Sequence, residues 1–270
     1  MSTIFLTGGT GSLGRMFIKL FNKKYKIVVY SRDEFKQYEL KKIYPNVKYI
    51  LGDVRDKNRV LESMKGCNIV IHAAALKHIT MGEYQPEEFI KTNIQGTINV
   101  VKAAKINKIK NLVLTSTDKA VDPINLYGAT KLCAEKIVLV NGYKVVRYGN
   151  VFGSRGSVVP HFLKFKDKGF LKLSDPELTR FSITIKEAAI FIEKALHGRK
   201  KLYIPKLKSY ILKDLAKAIC PKCKIRVYGL VKGEKKHELL DYNLSSEKAP
   251  KLTVEELKKL INDYIRETNN

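Results

Sequence analysis

The stretch T-G-G-T-G-S-L-G, residues 7–14, constrains what this chain can fold into more than any other part of it. It lies between a β-branched apolar run, TIFLT (3–7), and a helix-length segment, GRMFIKLFNK. Its glycines Gly8, Gly11 and Gly14 are spaced G-x-x-G-x-x-G. Glycine suits a chain that must turn tightly, let its backbone approach a pyrophosphate, and pack a helix close against a sheet. The helix N-terminus that follows offers N–H groups and a positive dipole end to phosphates. A tight turn alone would not require a strand before it and a helix after it.

The same alternation continues for half the chain. Strands are predicted at 26–31 (KIVVYS), 47–52 (VKYILG), 68–73 (NIVIHA), 111–116 (NLVLTS) and 144–149 (KVVRYG). Between them lie helix-length segments, including EFKQYELKKI, PEEFIKTNIQGTINVVKAAKI and YGATKLCAEKIVLV. Repeated βαβ units imply an α/β fold: a doubly wound parallel sheet of the Rossmann type. After Asn150 the rhythm breaks into VFGSRGSVVPHF, and only AAIFIEKALHG with KLYIP reads as one more helix and strand. The tail LTVEELKKLINDYI is apolar at helical spacing, with Thr253 and Glu256 placed as a capping box. A dinucleotide-binding domain over 1–152 is expected, with 183–207 returning to it. A smaller, discontinuous C-terminal substrate domain then takes most of 153–270.

Composition removes several alternatives. With 270 residues, 44% of them hydrophobic, the chain can bury a core and is not disordered. No apolar run approaches a membrane span, and Met1 leads almost directly into the first strand, so a cytoplasmic protein without a membrane partner is expected. The net charge is +25. Its lysines are scattered and no basic stretch carries interleaved aromatics, which argues against nucleic acid and for anions drawn into a cleft. Of Cys67, Cys133, Cys220 and Cys223, only the last two have metal-like spacing, in CPKC. Nothing supplies two further ligands, so no metal and four free thiols are expected.

The second strand ends in Ser31 and Arg32, with Lys36 close behind. An acid at this point would accept from a ribose 2′-hydroxyl. An arginine instead holds a 2′-phosphate through charge-assisted bonds, which favours NADP. Asp33 and Glu34 lie near enough to accept from ribose or to start the next helix. Asp53 is placed either to contact adenine or to cap the helix beginning RDKNRVLESM.

Tyr127 and Lys131 stand four apart on one helix face, after the fifth strand, in STDKAVDPINLYGATK (116–131). A tyrosine near pKa ~10 is too weak a base, and a neighbouring ammonium would lower it. Thr117 supplies a hydroxyl for the reacting oxygen. Asp118 and Lys119 come next; residue type alone allows a turn cap and a solvated loop cation.

The glycine turn, IHAAALKH, YGATK and RYGNVFG together resemble the extended short-chain dehydrogenase/reductase superfamily. Further motifs narrow the likeness: YSRDEFKQ, GDVRD, KTNIQGTINV, STDKAVDPINLYGATK, RYGNVFGSRGSVVPHF, TRFSIT and GEKKHE. These are similar to the C5-inverting UDP-N-acetylglucosamine 4,6-dehydratases. The resemblance implies an NADP-dependent lyase that oxidises carbon 4 of a UDP-sugar, removes water across carbons 5 and 6, and returns hydride to carbon 6. Asp118 is then the acid for the departing hydroxyl and Lys119 the base at carbon 5. Such a base needs its pKa depressed by burial or by Lys131 and Lys77.

The resemblance also implies cofactor contacts from Gly8, Thr10, Gly11, Ser12, Leu13 and Gly14. Ser31, Arg32, Lys36, Asp53 and Val54 follow on the next strands. Ala73, Ala74, Lys77, Tyr127, Lys131 and Val151 complete that set. Lys77, Asn150, Arg155, Val158, Arg180 and Glu234 are implied for the substrate, with Arg180 open to a plain surface role beside Glu177. One position departs from the family: LVKGEKKHE has Val231 where an arginine grips the diphosphate, leaving Lys232 or Arg226 to compensate. A homo-oligomer is expected. A nucleotide-sugar epimerase or reductase, or a non-catalytic NADP sensor, are the other readings this scaffold admits.

Overall fold

Each of the six β-branched runs becomes a strand of one sheet in the computed structural model, which describes residues 1–154 and 156–269. In order come β1 (Thr3–Thr7), α1 (Ser12–Phe21), β2 (Lys26–Ser31), α2 (Glu34–Ile43), β3 (Lys48–Leu51), α3 (Lys57–Ser63) and β4 (Ile69–His72). Short α4 (Ile79–Tyr84) and α5 (Pro86–Phe89) lead through a π-helical turn, Ile90–Gln95, into α6 (Gly96–Ile106). Then follow β5 (Asn111–Thr117), a 3₁₀ turn at Asp118–Ala120, α7 (Leu126–Val140), β6 (Lys144–Tyr148) and β7 (Asn150–Val151). The remainder holds α8 (Val158–Phe165), β8 (Phe170–Leu173), β9 (Thr179–Ile183), α9 (Ile185–His197), β10 (Leu202–Tyr203) and β11 (Ser209–Ile211). It closes with α10 (Leu212–Ile219), β12 (Lys224–Val227), β13 (Leu239–Asp241), β14 (Leu244–Ser245) and α11 (Val254–Asn269).

The main sheet runs β10-β6-β5-β4-β1-β2-β3, every neighbour parallel. Strand order reverses beside β1, so the carboxyl ends of β1 and β4 open a crevice where ligands of such sheets bind. Both faces are buried: Ile4, Leu6, Val29 and Ile71 pack against α1 and α9, while Phe5, Val70, Leu112 and Leu114 pack toward α3, α6 and α7. A third cluster, built on Phe152, Phe162, Leu171, Leu215 and Leu257, gathers α8, β8, α10 and α11. The sheet β11-β9-β7 connects this lobe to the main body.

Two expectations are corrected here. The helix read as continuous over 86–106 is interrupted by the π turn. Asn93 within it gives its side chain to Leu76 N–H (2.8 Å), Leu76 carbonyl (2.9 Å) and Thr130 Oγ1 (3.0 Å). Re-aiming one side chain is a common use of such a bulge. The thiols of Cys220 and Cys223 are not free but disulfide-bonded, because the turn ending α10 brings their Cα atoms within 5.3 Å. Cys67 and Cys133 are free. Among the described residues no helix is long and apolar enough to cross a membrane.

Candidate active site

Gly8 sits at φ +68°, and a Cβ there would lie 2.8 Å from Ala74 N. A Cβ on Gly14 would come within 2.4 Å of the Gly9 backbone. The turn after β1 therefore closes against β4, and α1 packs tightly onto it. No side chain caps α1 at Gly11 and no acid occupies its first turn, so its dipole end is presented undiluted. It opens into a cleft of about 800 Å³, which every cofactor position named from the sequence lines, from Gly8 through Val151. Long, open at a switch point and floored by glycine, the cleft fits a dinucleotide.

At its far end Arg32 stands half-exposed, 3.6 Å from Asp53. Asp53 does not cap the next helix; Asp56 does, accepting from Arg59 N–H at 2.9 Å. Asp53 instead accepts from Arg55 N–H (2.9 Å) and Nε (2.8 Å). Burial works against its charge, but Arg55 and Arg32 outweigh it and hold the carboxyl below its usual range. Asp33 caps α2 through Lys36 N–H, and the Lys36 ammonium bonds the same carboxylate. Ser31 accepts from Gln37.

The 3₁₀ turn after β5 gathers the residues that the sequence puts forward for chemistry. Thr117 Oγ1 donates to Asp118 Oδ1 at 3.0 Å. Lys119 Nζ lies 3.0 Å from Asp118 Oδ1, 3.0 Å from Asn150 Oδ1 and 3.2 Å from Glu238 Oε1. Neither the solvated cation nor the depressed pKa foreseen for Lys119 is found. Burial alone would lower it, but the Asp118 and Glu238 carboxylates raise it well above the ordinary lysine value. Asp118 is fully buried, behind the cleft wall.

The Tyr127–Lys131 pair also differs from its spacing. Lys131 Nζ donates to Thr115 carbonyl at 2.7 Å, turned toward β5. Burial pushes the Tyr127 phenol up to about 12, against the Lys119 charge and the Thr117 hydroxyl, which pull it down. The depressed group is Lys131 itself, brought down to about 8 by burial despite Glu135. Helix α7 is held beneath by Arg147, whose guanidinium grips Glu135 at 3.0 and 2.6 Å.

Of the positions implied for the substrate, Lys77 and Asn150 line the cleft and Val158 opens α8. Arg155 lies outside the described residues. Arg180 is no surface arginine beside Glu177: it is buried, 3.3 Å from Glu234 and 4.0 Å from Glu238, while Glu177 pairs with Lys213. Arg180 and Glu234 thus meet each other and do not line the cleft. Arg226 stacks on Phe170, 3.9 Å from the ring, and Val231 is exposed. Sequence reasoning missed Glu238, the carboxylate that joins this lobe to Lys119. The signal was a second acid in GEKKHE, four residues after Glu234, with nothing in the text to link it to residue 119.

The family model described as "Polysaccharide biosynthesis protein" matches residues 4–258. The UDP-N-acetylglucosamine 4,6-dehydratase (inverting) of Campylobacter jejuni subsp. jejuni serotype O:2 is 43% identical over 256 residues, covering 88% of this chain and 76% of that one. A UDP-glucose 4-epimerase of Rickettsia bellii is 37% identical over 273 residues, covering 92% and 79%. The X-ray structure of Pen from Bacillus thuringiensis superposes with a TM-score of 0.89 at 31% identity, covering 97% of each chain.

Proposed function

Since this chain belongs to the polysaccharide biosynthesis protein family, we propose that it dehydrates a UDP-N-acetylhexosamine, UDP-N-acetylglucosamine above all, at carbons 4 and 6 with inversion at carbon 5. The observation that carries this reading is the Asp118–Lys119 pair, buried at the cleft wall beside Thr117 and Tyr127. An alcohol dehydrogenase needs only tyrosine, lysine and a hydroxyl; removal of water needs a further acid and base. Residues 1–152 with 183–207 form the cofactor unit, and 153–182 with 208–270 hold the sugar nucleotide. A homo-oligomer in the cytoplasm remains the expected setting.

Bound NADP supplies the place where the carbon-4 hydride is kept until it returns to carbon 6. The chain's own groups handle protons. Thr117 orients the carbon-4 oxygen and Tyr127 accepts its proton. Tyr127 is a phenol in the free protein, so its own proton must first leave; Thr117, bonded to Asp118, offers the route. Asp118 then carries a proton for the departing carbon-6 hydroxyl. Lys119, charged at rest, becomes the carbon-5 base once its ammonium has given up a proton, and carbon 5 takes a proton of solvent origin on its opposite face as the hydride reaches carbon 6. The rate therefore rises with pH as Lys119 is deprotonated.

The test is incubation with UDP-N-acetylglucosamine, followed by mass and NMR. A product lighter by one water and inverted at carbon 5 is expected. The epimerase reading, favoured by the Rickettsia relative, requires a product of unchanged mass. Unchanged mass would overturn the dehydratase reading.

Arg32 is the proposed 2′-phosphate ligand. Arg32→Ala should weaken NADP binding by about 1.5–3 kcal/mol, the worth of a charge-assisted bond, and leave NAD binding nearly unchanged. Equal losses for both, or a wild-type preference for NAD, would show that Asp53, 3.6 Å away, keeps Arg32 engaged.

A further inference from the structure

Segment 233–238 crosses from the smaller lobe onto the catalytic turn. Gly233 carbonyl accepts from Asn125 Nδ2 at 2.8 Å, and Lys235 Nζ donates to Val121 carbonyl at 2.8 Å. At its end Glu238 is 2% exposed and rigidly set. Its N–H donates to Ser246 Oγ at 2.8 Å, and its carbonyl accepts from Ser246 N–H at 2.8 Å. Ser246 Oγ is in turn 2.7 Å from Thr179 Oγ1. Among the described residues, Glu238 Oε2 and Asp118 Oδ2 are both buried without a hydrogen-bond partner. Two spare carboxylate oxygens beside one ammonium cost stability, and a buried group left so calls for an explanation in function.

We infer that Glu238 is a positioning residue for this reaction: it reaches in from the smaller lobe and fixes the Lys119 ammonium against Asp118, facing the sugar. The inference rests on the dehydratase reading. Lys119 faces Asp118 from the β5–α7 connection, Tyr127 from α7, Asn150 from β7, Arg180 from β9, Tyr210 from β11 and Glu238 from segment 233–238. Asp118 and Glu238 favour its charge and Arg180 opposes it. Withdrawing Glu238 therefore lets Lys119 lose its proton at lower pH and also loosens its placement.

The experiment follows kcat, KM and solvent-deuterium entry at carbon 5 across pH, with NADP-loaded enzyme and UDP-N-acetylglucosamine. In Glu238→Gln the plateau kcat should fall about 10–100-fold, the usual loss when a supporting partner is removed. KM should move less than about threefold, since uniform binding is kept. The rising limb of deuterium entry should move to lower pH, because one of the two carboxylates that favour the ammonium is gone. Glu238→Asp, smaller but charged, should restore most of the limb position. If Glu238 merely fills space, isosteric Gln should match the wild type and Asp should be the worse variant; that pattern overturns the inference. A wild type that removes no water defeats the dehydratase reading instead, whereas an active wild type with an unchanged Gln variant defeats only the role of Glu238. Should Glu238→Gln fail to fold, Lys119→Met/Glu238→Gln should still melt above Lys119→Met, because it strands one buried carboxylate, Asp118, where Lys119→Met strands two. No gain in melting temperature overturns the pairing.

Discussion

Lys119→Met is expected to slow dehydration by about 10²–10⁴-fold, the usual worth of a positioned acid or base. The substitution keeps the aliphatic stem and deletes the amine that lies within 3.2 Å of Asp118, Asn150 and Glu238. Oxidation at carbon 4 draws on Thr117 and Tyr127, so substrate mixed with NADP-loaded variant should still give a transient reduced-nicotinamide absorbance. Solvent deuterium should enter carbon 5 far more slowly than in the wild type. Tyr127→Phe should do the reverse and abolish that transient, since it removes the proton-handling hydroxyl and keeps the ring. Dehydration and exchange at wild-type rates in Lys119→Met would leave Lys119 a structural cation and remove the mechanistic ground for the dehydratase reading.

Arg147→Met should destabilise the protein by about 3–5 kcal/mol, the scale set by stranding one partner of a buried ion pair. Glu135 is 1% exposed and Arg147 8%, so water cannot replace the lost contacts. Arg147 on β6 also donates to Leu240 carbonyl in β13 at 3.0 Å, tying the sheet and α7 to the smaller lobe. Denaturant melts would read the loss directly. Arg147→Met/Glu135→Leu should recover much of it, because the stranded carboxylate goes too. A loss below about 1 kcal/mol for the single variant would mean that this ion pair does not hold α7 to the sheet.

Strand positions were legible because a strand buried on both faces must be a short apolar, β-branched run, and five of the six are, the sixth being the half-exposed edge strand β3. The glycine turn was legible because few residues tolerate a backbone approach such as Gly8 makes to Ala74. Local capping could be read less well: Asp53 and Asp56 are both plausible caps three residues apart, and only geometry separates them. Lys119 was legible as a residue but not as a charge. Its state is set by Asp118 beside it and then by Glu238, which no periodicity connects to it. The same holds for Arg180, whose burial depends on Glu234 and Glu238 arriving from a distant segment. The π turn at Ile90–Gln95 was hidden because its cause, the demand of Leu76 and Thr130 on Asn93, is tertiary. The disulfide was hidden because Cys-x-x-Cys spacing is compatible with thiols, metal or a bond alike.

The strap at 233–238 sets a condition on when a newly made chain becomes competent. Gly8 meets Ala74 early in the sequence, so the glycine cradle can close while most of the polypeptide is still unmade. Asn125 and Gly233 are separated by 108 residues, and Val121 and Lys235 by 114. Contacts spanning such distances form slowly. The turn at Asp118–Lys119 therefore acquires its outer carboxylate only when segment 233–238 docks on it. Until that far lobe docks, Lys119 holds only one of the two carboxylates that keep it charged.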